Sequence, residues 1–329
     1  MQKITFGILT YNQEKYVVET LESIKYQKIH YGEFFDVSLI ITDDASKDAT
    51  VQVIRAWLEK NHAYFAKAEL IANEKNRGTV ANFLTILSKV GEEHLKIIAG
   101  DDLIGCKNLF SQYENLNDKK LKTYLRIELC DGVIYCREKF LIDFYYHRKY
   151  GKGRNYNLKT FRRGKYLHTP STLYTKQLFV NAECEESLEG YQLFEDDPMW
   201  YSMIKNEMDL EIDFVDQGMV LYRVHNQSVS NAPNPIFQAD MKRLRQMYLG
   251  DSKGLEYLYL LIRMRTSKWP LYINPGLYLD KFMNMKRQRI CRKDPGYQVF
   301  KEKIEQQIKE EQKFYDKIME EISKSAVIE

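Results

Sequence analysis

The sequence predicts an α/β fold: a mostly parallel sheet flanked by helices, followed by a mainly helical C-terminal extension. Three observations predict it. Short apolar runs rich in β-branched residues alternate with segments of helical periodicity across residues 4–99. Acidic pairs stand directly after two of those runs, where the carboxyl ends of parallel strands gather ligands. After residue 230 the strand-like runs stop and the chain becomes basic and helical in pattern.

The elements follow in order. Ile4–Leu9 is an apolar strand, and Val17, Val18, Leu21 and Ile24 then recur at helical spacing. Val37–Thr42 is a second strand. Asp48 is placed to cap a helix whose inner face is Val51, Ile54, Trp57 and Leu58. Ala68–Ala72 reads as a third strand, Thr79–Val90 as a helix with Val80, Phe83, Leu84 and Leu87 on one face, and Leu95–Ala99 as a fourth strand. This βαβαβαβ order argues for a parallel, doubly wound sheet. Further on, Lys122–Leu129 and Gly132–Cys136 read as strands, Phe194–Asn206 as a helix, and Ile212–Val215 and Met219–Val224 as two more strands. The stretch 145–166 is basic, aromatic and interrupted by three glycines, and is expected to be a mobile loop region. Asn231-Ala232-Pro233-Asn234-Pro235 cannot continue a regular element and marks a boundary. The expected organisation is therefore a domain over 1–230, with a first half at 1–108 and a second at 109–230, and an extension over 231–329.

Composition narrows the function. A formal net charge of +3 over 329 residues is too small for a nucleic-acid partner. No apolar run approaches the ~18 residues of a membrane-spanning helix, and the N-terminus lacks the pattern of a secretory signal. The five cysteines form no C-x-x-C pair and are odd in number, as expected of reduced thiols in a cytoplasmic protein.

Four motifs carry chemistry. Asp43-Asp44 follows the second strand and opens Ala45-Ser46-Lys47-Asp48; two adjacent acids exceed what helix capping requires. Asn76-Arg77-Gly78 offers a tight turn and a cation for a diphosphate. Gly100-Asp101-Asp102 follows the fourth strand, where a short turn holds carboxylates rigidly enough for a metal, or simply serves as a turn. Glu195-Asp196-Asp197 starts a helix, either as a complement to its dipole or as a source of a general base. His225 could complete a metal shell begun by Asp101.

The ordered series Thr10-Tyr11-Asn12, Asp43-Asp44-Ala45-Ser46-Lys47-Asp48-Ala49-Thr50, Asn76-Arg77-Gly78, Gly100-Asp101-Asp102, Glu195-Asp196 and His225-x-x-Ser228-x-Ser230 resembles a family 2 glycosyltransferase over about residues 1–230. The resemblance implies an inverting enzyme of the GT-A, Rossmann-like fold, with a nucleotide-diphosphate-sugar donor (a UDP-sugar preferred) and Mg or Mn. It implies that Thr10, Tyr11, Asn12 and Asp43 line the nucleotide site, with Arg77, Gly78, Gly100 and Asp102 beside it. It makes Asp101 the metal-binding acid, His225 a second ligand, Asp196 the catalytic base and Glu195 its support. The family often carries an acid two places before the metal-binding Asp; here that position is Ala99, so ribose contact must come from elsewhere. The acceptor implied is a saccharide or lipid-linked saccharide in bacterial surface polysaccharide or glycolipid assembly, with His168-Thr169-Pro170-Ser171 and the 145–166 stretch as candidate walls. Two other readings use the same residues: a nucleotidyltransferase acting on a sugar phosphate, for which Thr10-Tyr11-Asn12-Gln13-Glu14 lacks a phosphate-cradling loop, and a non-catalytic nucleotide-sugar-binding assembly protein, against which the retained acids argue.

The extension is uneven in charge. From Met241 to Lys293 there are 13 Lys or Arg against three acids, interleaved with Tyr, Trp269, Phe282 and Met. That mixture suits either peripheral contact with an anionic membrane, on the inner face of the plasma membrane, or a solvated helical face. In 301–323, Ile304, Ile308, Tyr315, Ile318 and Ile322 approach a heptad seam that Glu311 breaks. Packing on the same chain is expected there, with a homodimer through the C-terminal helices as the alternative.

Overall fold

The computed structural model describes residues 2–91, 94–164, 167–225, 234–267 and 269–327. Nine strands form one sheet in the order β3-β2-β1-β4-β8-β6-β9-β5, with β7 on β6. Strands β1 (Gln2–Thr10), β2 (Phe35–Asp43), β3 (Lys67–Ala72) and β4 (His94–Ala99) are parallel to one another. Helices α1 (Val17–Tyr31), α2 (Thr50–Asn61) and α3 (Thr79–Lys89) connect them.

Period-two alternation explains the two-faced burial. Ile4, Phe6 and Ile8 of β1 join Val17, Leu21 and Ile24 of α1 and Ile54 and Trp57 of α2 on one face. On the other, Leu95 and Ile97 of β4 meet Val80, Phe83 and Ile86 of α3. Both faces are covered, as a parallel sheet requires.

The second half adds β5 (Leu103–Ile104), β6 (Lys120–Cys130), β7 (Val133–Tyr135), α4 (Glu138–Tyr150), α5 (Arg154–Arg163) and β8 (Thr172–Thr175). Then come α6 (Lys176–Asn181), α7 (Cys184–Ser187), α8 (Asp196–Asn206) and β9 (Glu211–Arg223). Two expectations are corrected here. Residues 145–163 are largely helical, because apolar and aromatic side chains in α4 and α5 find cores: Phe144 and Tyr145 pack with Tyr297 and Phe300, and Phe161 with Trp200 and Tyr201. The two expected strands at 212–224 are one long β9, whose register on β6 shifts after Tyr124 and again after Leu125, so a β-bulge stands where the two expected strands were separated between Val215 and Met219.

The extension forms α9 (Pro235–Gly250), α10 (Gly254–Thr266), α11 (Pro275–Arg292) and α12 (Pro295–Val327). Leu244, Tyr248 and Leu260 enter the same core as Trp200. In α12 the seam residues Ile304, Tyr315 and Ile318 are buried on this chain, and a fully buried Ile contributes about 1.5–3 kcal/mol. Glu311 interrupts that seam for a reason. It is fully buried and accepts from Cys106 N–H (2.8 Å) and Gln307 Nε2 (3.1 Å), closing the turn after β5. Gln307 in turn brackets the bulge, accepting from Gly218 N–H and donating to its carbonyl. The boundary at 231 and the motif residues Ser228 and Ser230 lie outside the described residues.

Candidate active site

The strand order 3-2-1-4 makes the chain reverse its winding at β1, and the crevice at such a switch point, outside the carboxyl ends, is where open α/β sheets bind ligands. Register places Thr10 opposite Asp43 and Leu9 opposite Ala99, so the Asp43-Asp44 and Asp101-Asp102 motifs leave the sheet on either side of the β1 loop.

The loops after β1 and β2 are laced together. Asn12 N–H donates to Ser46 Oγ (2.8 Å), Asn12 Oδ1 accepts from Lys47 N–H (2.8 Å), and Glu14 Oε2 accepts from Ala49 N–H (2.8 Å). Asp43 is the floor of this lacing: its carboxylate, fully buried, accepts from Ser46 N–H (2.9 Å), Ser46 Oγ (2.5 Å) and Thr10 Oγ1 (2.9 Å). Tyr11, 43% exposed, is the aromatic face left outward. Asp44 turns the other way and accepts from Arg77 N–H (2.7 Å) and Gly78 N–H (3.0 Å), which fixes the turn before α3 and leaves Arg77 exposed. Two adjacent acids were thus needed because each organises a different loop. Asp48 accepts from the Thr50 amide (3.0 Å) at the start of α2.

The second pair divides its labour too. Gly100 N–H donates to Leu9 O (2.9 Å), and a Cβ there would stand 2.6 Å from both Thr10 Cγ2 and Gln13 Oε1, so only glycine lets the β4 loop approach the β1 loop. Asp101 Oδ2 meets His225 Nε2 at 2.8 Å, and the His225 ring stacks on Tyr16 with centroids 5.3 Å apart. Asp102 points inward: it is 1% exposed and its Oδ1 accepts from Arg223 N–H (2.8 Å). Burial, then the neighbouring charge of Asp101, push its carboxyl well above the usual carboxylate range. The structure therefore gives Asp102 the role of an internal brace and leaves Asp101 as the acid at the rim.

Sequence reading missed the platform under this loop. Arg223 donates through Nε to the Asp101 carbonyl (2.8 Å), pairs with Glu19 (2.5 Å) and lies over the Tyr16 ring at 4.5 Å. Arg223 and Glu19 are both buried. Glu19 stands in the first turn of α1, where an acid is ordinary, and neither it nor Arg223 belongs to a motif that stands out in the sequence. A buried pair of this kind is costly to break from one side, which suits a fixed support.

The third motif opens α8, and the loop before it meets the Asn76-Arg77-Gly78 turn. Gln192 O accepts from Val80 N–H (3.0 Å), and a Cβ on Gly78 (φ 86°) would stand 2.6 Å from that same oxygen, so the loop before Glu195 docks on the turn held by Asp44. Its other anchor is Asp240 of α9, 3% exposed, whose Oδ2 accepts from the N–H groups of Gln192 (3.0 Å), Leu193 (2.7 Å) and Phe194 (3.3 Å). Asp196, half-buried at the start of α8, accepts from Asp197 N–H (2.7 Å). Asp240→Ala is expected to speed amide exchange at 192–194 and to lower stability by about 1–3 kcal/mol, the cost of orphaned buried donors. Asp240→Asn, which keeps an acceptor oxygen, should recover part of both, as hydrogen exchange and thermal denaturation would measure.

Asp101 and His225 are close enough to share one cation. Among the described residues, no cluster of three or more His, Cys, Asp or Glu surrounds a common point. Two protein donors fit a hard divalent ion only if phosphate oxygens and water complete its shell, which is the usual economy for Mg.

An open, mostly parallel sheet with acid-bearing loops at its switch point and a helical C-terminal region is the architecture of the GT-A glycosyltransferases. Residues 5–175 match the family described as Glycosyl transferase family 2, more than half of the chain, and the chain belongs to that family. Abequosyltransferase RfbV of Salmonella typhimurium is 30% identical over 122 residues, 37% of this chain and 34% of that protein. Poly(ribitol-phosphate) beta-N-acetylglucosaminyltransferase TarS of Staphylococcus aureus is 28% identical over 109 residues, 33% of this chain and 18% of that protein. The matched segments thus span about a third or less of these curated relatives. The crystal structure of S. aureus TarS in complex with UDP-GlcNAc superposes with a TM-score of 0.56 at 15% identity, covering 96% of this chain and 92% of that one. That of GalNAc-T7 with UDP, GalNAc and Mn2+ gives 0.54 at 13% identity, covering 87% and 55%. At such identities the likeness shows the fold.

Proposed function

We propose that this protein is an inverting glycosyltransferase that moves a sugar from a nucleotide-diphosphate-sugar to an acceptor hydroxyl. The observation that carries the proposal is the docking of the Glu195-Asp196 loop, through Gln192, on the turn that Asp44 holds beside the switch point. On this reading, the Val80 N–H to Gln192 O bond and the Asp44 contacts to the Arg77 and Gly78 amides tie the loop that carries the base to the turn that carries Arg77. Family membership and the UDP-sugar complex of TarS support the donor class.

Each residue then has a part. Tyr11 and the Asn12 loop form the wall for the base and ribose, with Thr10 and Asp43 fixing the loop from below. Arg77 presents a guanidinium to the diphosphate. Asp101, oriented from behind by Arg223, and His225 would hold Mg or Mn, which supplies Lewis-acid neutralisation of charge on the departing diphosphate. Asp196 takes the proton of the attacking hydroxyl, and Glu195 supports it. Because the hydroxyl enters opposite the leaving diphosphate in one displacement, the anomeric configuration inverts. The acceptor is a saccharide or a lipid-linked saccharide, and the setting bacterial surface polysaccharide or glycolipid assembly; RfbV and TarS are, by name, bacterial glycosyltransferases.

A thermal-shift screen tests the donor class. A ligand that binds only the native state at a hundredfold excess over its Kd stabilises by about 2.7 kcal/mol. UDP-sugars are expected to raise the melting midpoint, and to raise it further with Mn than without. No response to any sugar nucleotide, with or without Mn, would sink the reading.

A further inference from the structure

Among the described residues, 21 large hydrophobic side chains are exposed, and 11 of them fall between Leu255 and Met285. That crowding is far beyond the scattered exposed apolar residues of an ordinary surface. It coincides with the segment of 13 Lys or Arg against three acids.

Helix α11 shows how the two are arranged. Its inner side is committed: Asp280 pairs with Arg263 (3.2 Å), Arg287 with Asp143 (3.2 Å), and Cys291 is buried. At 100° per residue the opposite side is centred on Tyr278, Phe282 and Met285, which are 54%, 63% and 51% exposed. Arg289 continues that stripe, while Lys281 and Lys286 flank it on either edge, and all three are exposed. An apolar stripe edged with lysines is the pattern of a helix lying in a membrane interface. The turn between α10 and α11 adds Trp269, Tyr272 and Ile273, 50%, 76% and 52% exposed, of which the first two are the aromatic types that settle at headgroup depth.

We propose that the α10–α11 hairpin is a docking surface for an anionic lipid bilayer. Charge decides the occupant. A second copy seated on this face would bring two strongly basic segments together, whereas an anionic leaflet attracts each exposed cation. The lipid-contact claim stands independently of the glycosyl-transfer reading.

The test is flotation of the full chain with vesicles of two parts phosphatidylcholine to one part phosphatidylglycerol, against phosphatidylcholine alone. Binding is expected with the anionic vesicles at low salt, release at about 1 M salt, where the Debye length is about 3 Å, and little binding to neutral vesicles. Combining Lys281→Glu, Lys286→Glu and Arg289→Glu should weaken partitioning at least about a hundredfold, at about fivefold for each cation lost. Combining Tyr278→Ser, Phe282→Ser and Met285→Ser should weaken it at least about tenfold. Unchanged circular dichroism and melting midpoints would show that these exposed substitutions leave the fold intact. Equal binding to both vesicle types, or variants that bind like the parent, would overturn the proposal. So would a concentration-dependent dimer in sedimentation velocity that the serine variant dissolves while vesicles go unbound.

Discussion

Asp196→Asn is expected to lower kcat by about a thousandfold while leaving the donor KM within about twofold. Asn has nearly the shape of Asp but cannot take a proton, and general-base catalysis contributes about 10²–10⁴ in rate. A thousandfold loss is about 4 kcal/mol of transition-state stabilisation. The substitution leaves an amide oxygen to accept from Asp197 N–H, the 2.7 Å contact at the start of α8, so the helix start should persist. Steady-state rates over donor and acceptor concentration check it, because a lost base moves kcat and spares ground-state donor binding. A variant with parental turnover would remove Asp196 from the chemistry. A variant that instead loses donor affinity would place it on the donor.

The same logic gives the C-terminal helices two tasks at the site. Asp240 of α9 holds the three amides before Glu195, and Glu311 of α12 holds Cys106 N–H behind the Asp101-Asp102 loop. Both are buried acids brought in from more than forty residues away in sequence, and both satisfy backbone donors that a loop leaves open. Both therefore act as positioning residues.

That distance also explains what the sequence could reveal. The parallel half was legible because β-branched runs and 3.6-residue periodicity are local signals, and Asp43, Gly78 and Asp101 were legible because short turns demand particular residue types. Which loop each acid of a pair braces was not legible. Asp44 and Asp102 differ from their neighbours only in what folds against them: the Arg77–Gly78 amides in one case and Arg223 in the other. Residues 145–163 misled because Tyr and Arg count as polar in a periodicity reading, yet Tyr145 packs against Tyr297, and Arg162 is a two-pronged partner of Glu256 at 3.0 and 2.9 Å. Asp240 gave no local signal, since a lone acid on an amphipathic helix reads as solvated until the 192–194 loop is laid over it.

Asp101→Ala is expected to weaken Mn-supported donor binding about tenfold to a hundredfold while leaving metal-free binding nearly unchanged. On the proposed reading, removing one of two protein donors would leave the shell to His225, phosphate and water, and carboxylates are the preferred side-chain ligands of Mg and Mn. The loop itself should hold, because Arg223 grips the Asp101 carbonyl and the Asp102 carboxyl, neither of which the substitution touches. His225→Ala supplies the internal control. If both side chains serve one ion, the double variant should lose less than the sum of the single losses, since the second substitution removes a ligand from a shell already opened. If Asp101 instead only orients His225 through their 2.8 Å contact, the losses would be the same with and without Mn. Titration calorimetry of the donor with and without Mn separates the two cases.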